Sequence, residues 1–70
     1  MIVYRRKIEK NDIDTLEEKE ELIYYRDNNI AYLINRLDNG YIMRKKKIFN
    51  NQLIDERRLK TSTQLIKVID

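Results

Sequence analysis

The chain has 70 residues, 41% of them hydrophobic and 39% charged, with a net charge of +3. That is one small domain, too apolar for a disordered tail and too charged for a membrane span. With no Cys, no His, no Pro and one Gly, it lacks disulfides, thiol redox sites, Cys-ligated zinc and the commonest metal ligand. The usual neutral-pH general base and Gly-rich phosphate loops are excluded too, and no cofactor is expected.

A chain of this size buries only about 60% of its unfolded surface and needs a staple. Disulfides are impossible and a structural metal is not expected, so a homodimer or an obligate partner is the expectation. No segment reaches the roughly 20 apolar residues of a membrane helix. Met1-Ile2-Val3-Tyr4 precedes Arg5-Arg6-Lys7, the reverse of a signal peptide's order, which points to a cytoplasmic protein. Heavy use of Ile, Lys, Asn and Tyr is the composition of an AT-rich genome and suggests a mobile element or a virus.

In chain order, residues 2–8 read as a short strand, with Ile2, Tyr4 and Ile8 on one parity. Asn11 or Asp12 then caps a first helix at about 12–26, with Asp14, Glu17 and Glu18 in its early turns. Ile13, Leu16 and Ile23 share a face that Glu20 interrupts. After the break at Asp27-Asn28-Asn29, Ile30, Leu33, Ile34 and Leu37 fit one face of a second helix at about 29–38, closed by Gly40. The competing pattern is a hairpin turning at Asn39-Gly40, with Leu37 opposite Ile42 and Arg36 opposite Met43. A basic strand or hairpin follows at 41–49, then a short third helix from Asn50-Asn51 to about Lys60 and a C-terminal strand at Leu65–Ile69. The fold class is α+β, in a single domain over 1–70.

The charge is segregated along the chain. Arg5, Arg6 and Lys7 open it; Glu9 to Asp27 is net acidic; from Tyr41 onward Arg44, Lys45, Lys46, Lys47, Arg57, Arg58, Lys60 and Lys67 outnumber the acids. Such a chain is suited to docking a polyanion. Arg44–Lys47 sits between Tyr41 and Phe49, alternating cations and rings as nucleic-acid ribbons do. The plain alternative is a lysine-guarded edge strand. Glu17, Glu18, Glu20 and Glu21 read as a solvated face, because a calcium loop needs a glycine the segment lacks. Ser62 has no His to activate it. A histidine-free ribonuclease would draw on Tyr32, Tyr41, Arg44 and Lys46, though nothing in their spacing marks them out.

Thr15-Leu16-Glu17-Glu18 followed by Asn29-Ile30-Ala31-Tyr32-Leu33-Ile34 resembles the small excisionase-type winged helices of mobile elements over about half the chain. Glu20 and Tyr24 or Tyr25 stand where that family has a small residue and a glycine. The resemblance implies that Asn28, Asn29, Tyr32, Asn35 and Arg36 face the groove, with 41–49 as a wing. A ribbon-helix-helix arrangement would instead pair strand 2–8 with its copy, Arg5 and Lys7 facing the bases.

The expectation is thus a non-enzymatic nucleic-acid-binding regulator, acting on DNA in preference to RNA. Phosphate contacts would come from Arg5, Arg6, Lys7, Arg44, Lys45, Lys46 and Lys47, with Tyr41 or Phe49 packing or stacking. The rival is a protein-binding inhibitor of the antitoxin or anti-defence type, for which Tyr24-Tyr25-Arg26 is a compact hot-spot candidate.

Overall fold

The structure, a computed structural model, describes residues 1–69. Its elements run β1 (Ile2–Arg5), α1 (Lys10–Asp14), β2 (Glu21–Tyr25), β3 (Ile30–Leu37), β4 (Gly40–Lys47), β5 (Leu53–Leu59) and α2 (Ser62–Ile69). The five strands form one sheet in the order β1-β2-β3-β4-β5; β1 and β2 are parallel, joined through α1, and the rest is an antiparallel meander. The α+β class agrees with the sequence reading, and the N-terminal and basic strands form over Ile2–Arg5 and Gly40–Lys47 where 2–8 and 41–49 were expected.

Four expected elements differ. The segment 12–26 is a five-residue helix, a turn and strand β2. Asp12 sits inside that helix and accepts the Glu9 N–H at 2.9 Å; the aromatic, β-branched run Leu22-Ile23-Tyr24-Tyr25 then favours extended backbone. The segment 29–38 is strand β3. Its helical spacing is a by-product of an apolar run that sits in the middle of the sheet, where both faces take apolar side chains. Tyr32 and Ile34 face the helices; Ala31 and Leu33 face the other way. Where a third helix to about Lys60 was expected, Leu53–Leu59 is the edge strand β5, and Leu65–Ile69 lies in helix α2. There the Thr61 hydroxyl accepts the Gln64 N–H at 3.2 Å and the Gln64 side chain accepts the Lys60 N–H at 3.0 Å, a reciprocal arrangement that starts a helix. With β3 inside the sheet and Tyr32 buried, there is no recognition helix among the described residues and the winged-helix expectation fails. The ribbon-helix-helix order fails as well, since β1 pairs in parallel with β2 of its own chain.

The core lies between one sheet face and both helices. Leu22, Ile34 and Met43 stand side by side in register and are at most 1% exposed; Ile13 and Leu16 on the α1 side and Leu65 and Ile69 of α2 close over them. Burying each such side chain stabilises by about 2 kcal/mol. Arg36 binds α1 to the sheet, its guanidinium donating to the Asp14 and Leu16 carbonyls at 3.3 and 3.0 Å and lying over the Tyr41 ring. Ser62 donates its hydroxyl to the Asp14 carboxylate, which holds that carboxyl below its ordinary pKa.

The β3–β4 hairpin does form, in a different register: Leu37 pairs with Gly40 and Arg36 with Tyr41, so Asp38-Asn39 make the turn. Gly40 has φ 153°, and a Cβ there would meet the Leu59 carbonyl oxygen and lie 3.2 Å from Lys60 Cα. Both neighbours are backbone and cannot step aside. Gly40→Ala is expected to destabilise the fold by about 2 kcal/mol or more, read as a lower midpoint in urea unfolding with an unchanged slope.

Candidate nucleic-acid interface

Side chains alternate along a strand, and the sheet register therefore decides where each cation goes. Arg44 and Lys46 leave β4 on the face away from the helices; Lys45 leaves it on the helix side. The run does not make one ribbon. Arg44 is held cross-strand by Glu56 at 2.9 Å. Lys45 lies over the Tyr32 ring, 5.8 Å from its centroid, and opposite Asp55. Tyr41 is 7% exposed, donates its hydroxyl to the Ile13 carbonyl at 3.4 Å, and is a core residue with no ring face to offer. Tyr32, 2% exposed, is also withdrawn from any surface chemistry.

What the alternation divides, the strand ends bring together. β1 and β2 run in the same direction and end at Arg5 and Tyr25; β3 starts beside Tyr25, and β4 ends beside β3's first residue, with Lys47 opposite Ile30. Arg5, Arg6, Lys7, Arg26, Lys46 and Lys47 therefore share one end of the sheet. The β2–β3 and β4–β5 turns are joined there by the Ile48 N–H donating to the Asn29 carbonyl at 2.9 Å. Asp27 lies in the same place, and its carboxylate accepts the Asn29 and Ile30 N–H groups at 2.7 and 2.9 Å, shaping the turn.

Arg5 is 3.5 Å from Asp12 and partly committed. Among the described residues, Arg6, Lys7, Arg26, Lys46 and Lys47 take part in no ion pair. Arg26 donates to the Tyr32 hydroxyl at 3.2 Å; that bond raises its already high pKa and keeps it charged. Arg26 is the residue the sequence reading missed as a cation of the site. Its signal was its place one residue beyond a strand of apolar and aromatic residues, level with Lys47 once the strands are paired.

Tyr4 and Tyr25 stack beside these cations, ring centroids 5.9 Å apart and planes within 6°. With Arg5, Arg6, Arg26 and Ile48 they line an open cleft of about 830 Å³. A shallow depression continues past Tyr25 and Ile48 to Lys46 and Lys47. Phe49, in the β4–β5 turn, is 91% exposed. One group of acids lies at the other end. Glu17, Glu18 and Glu20 precede β2 and Asp38 turns between β3 and β4; the Glu18 carboxyl shares a hydrogen bond with Asp38, which raises its pKa.

No family model matches this chain, nor does any curated protein or solved structure. No helix among the described residues is long and apolar enough to cross a membrane.

Adjacent lysines on opposite faces should separate in effect. Lys45→Glu places a carboxylate opposite Asp55 and removes the cation over Tyr32, an expected loss of about 1–2 kcal/mol of stability. Lys46→Glu, opposite Leu53, is expected to change stability by no more than about 0.5 kcal/mol. Thermal unfolding of the two single variants measures the difference.

Proposed function

We propose that this chain is a non-enzymatic nucleic-acid-binding regulatory protein. It would take the phosphate backbone at the sheet end where Arg6, Lys7, Arg26, Lys46 and Lys47 converge. The observation that carries the reading is this convergence of cations outside the molecule's own ion pairs, with Glu17, Glu18, Glu20 and Asp38 at the far end. A molecule so polarised orients its basic end toward a polyanion before contact, and each neutralised phosphate then releases a counterion. Arg44 and Lys45, tied to Glu56 and set over Tyr32, support the fold in this proposal and Arg5 plays a lesser part. Tyr41 has none at the surface.

DNA is proposed in preference to RNA, and a regulator of a mobile element or virus is the setting that the AT-rich composition supports. The homodimer rests on chain length alone. With about four or five phosphates neutralised, the logarithm of the binding constant should fall against the logarithm of salt concentration with a slope of about −3 to −4. Fluorescence anisotropy on labelled DNA across a salt series measures it. Lys46→Glu with Lys47→Glu should reduce that slope by about two. No retention on single- or double-stranded DNA or RNA at low salt would overturn the proposal in favour of a protein target.

A further inference from the structure

We infer that the nucleic acid taken by this site is a single strand whose bases stack on Tyr4 and Tyr25. The inference rests on the polyanion-binding role proposed above and narrows its ligand.

Three observations lead to it. Both helices pack on the Leu22–Ile34–Met43 face, and the cleft is built from sheet, strand ends and turns. Among the described residues no helix projects from it to enter a major groove. The rings are open: Tyr4 is 55% and Tyr25 36% exposed, and they already lie parallel to one another. Phe49 adds a third exposed ring in the turn that the Ile48–Asn29 bond holds at this end. Finally, the cations flank the rings. Arg5, Arg6 and Arg26 line the cleft with the tyrosines, and Lys46 closes the depression beyond Tyr25.

A duplex hides its base faces in its own stack, and phosphate contacts alone would leave these rings wet. An unpaired strand offers π-faces and phosphates together, at spacings a cation-flanked aromatic surface can follow. From β1 to β4 the sheet is about 14 Å across, room for a few stacked nucleotides. A second copy of this chain fits less well, because the same face would bring Arg6, Arg26 and Lys46 against their own counterparts.

The test compares labelled mixed-sequence single strands of about ten nucleotides, DNA and RNA, with the matching duplex and with polyglutamate, at one salt concentration. Single strands are expected to bind at least about tenfold more tightly than duplex. The double variant Tyr4→Leu, Tyr25→Leu should weaken single-strand binding roughly 5- to 100-fold and leave the duplex affinity and the salt slope unchanged. Tyr4→Phe with Tyr25→Phe, which keeps both rings, should bind as the parent does. The chain has five Tyr and no Trp, so bound bases should quench tyrosine emission, and the Leu variant should lose part of that quench. Circular dichroism melting establishes that each variant is folded.

Equal single-strand binding by the Leu variant overturns the inference, as does duplex binding as tight as single-strand binding. If Lys46→Glu still lowers affinity in those cases, the polyanion site itself stands. Polyglutamate bound as tightly as the single strand removes the role of the bases. Binding of neither nucleic acid removes both readings.

Discussion

Burial on one side of the sheet governs this molecule. Ile13, Leu16, Leu65 and Ile69 all close over the row formed by Leu22, Ile34 and Met43, and both described helices lie on that side of the sheet. A strand's side chains alternate between faces, so fixing that row inward fixes every other residue of β2, β3 and β4 as inward or outward. A slip of one residue would turn Ile34 and Met43 to water and bring Leu33 and Arg44 in. The register is strongly determined, and the positions of the charges follow from it.

The charge blocks are linear in the sequence and become polar in space because of strand direction. Glu17, Glu18, Glu20 and Glu21 lie where β2 begins, and Arg26 stands where β2 finishes. β1 is parallel to β2 and delivers Arg5 and Arg6 to the same end; β4, two strands away and also parallel to β2, delivers Lys46 and Lys47 there. An odd number of antiparallel steps between β1 and β4 would have sent one basic group to the acidic end. The dipole belongs to the topology, and composition alone does not produce it.

Much of this was legible in the residues, and the failures have physical causes. The α+β class, β1 and the basic strand followed from β-branched and aromatic content. β3 was misread because Ile30, Leu33, Ile34 and Leu37 fit a helical period; Ala31 and Tyr32, apolar as well, belonged in the count, and a run apolar on both parities with turn residues at each end marks an inner strand. α2 was misread because Ile66, Val68 and Ile69 favour strands in isolation, whereas Thr61 and Gln64 carried the start signal of a helix. At the site, Lys46, Lys47, Arg6 and Lys7 were visible as cations. Arg44 and Lys45 could not be set apart from them until Glu56, Asp55 and Tyr32 were seen beside them. Tyr41 was visible as a ring, but its burial under Arg36 depends on a hairpin register two residues away from the expected one.

The central claim is that strand direction gathers the working cations at one end of the sheet. Amide chemical-shift mapping on titration with a short single-stranded oligonucleotide tests it most directly. The account predicts perturbations concentrated at residues 4–7, 24–29 and 46–50, with α2 and the segments 17–21 and 36–40 silent. Shifts centred on those silent segments, or spread evenly over the chain, would contradict it.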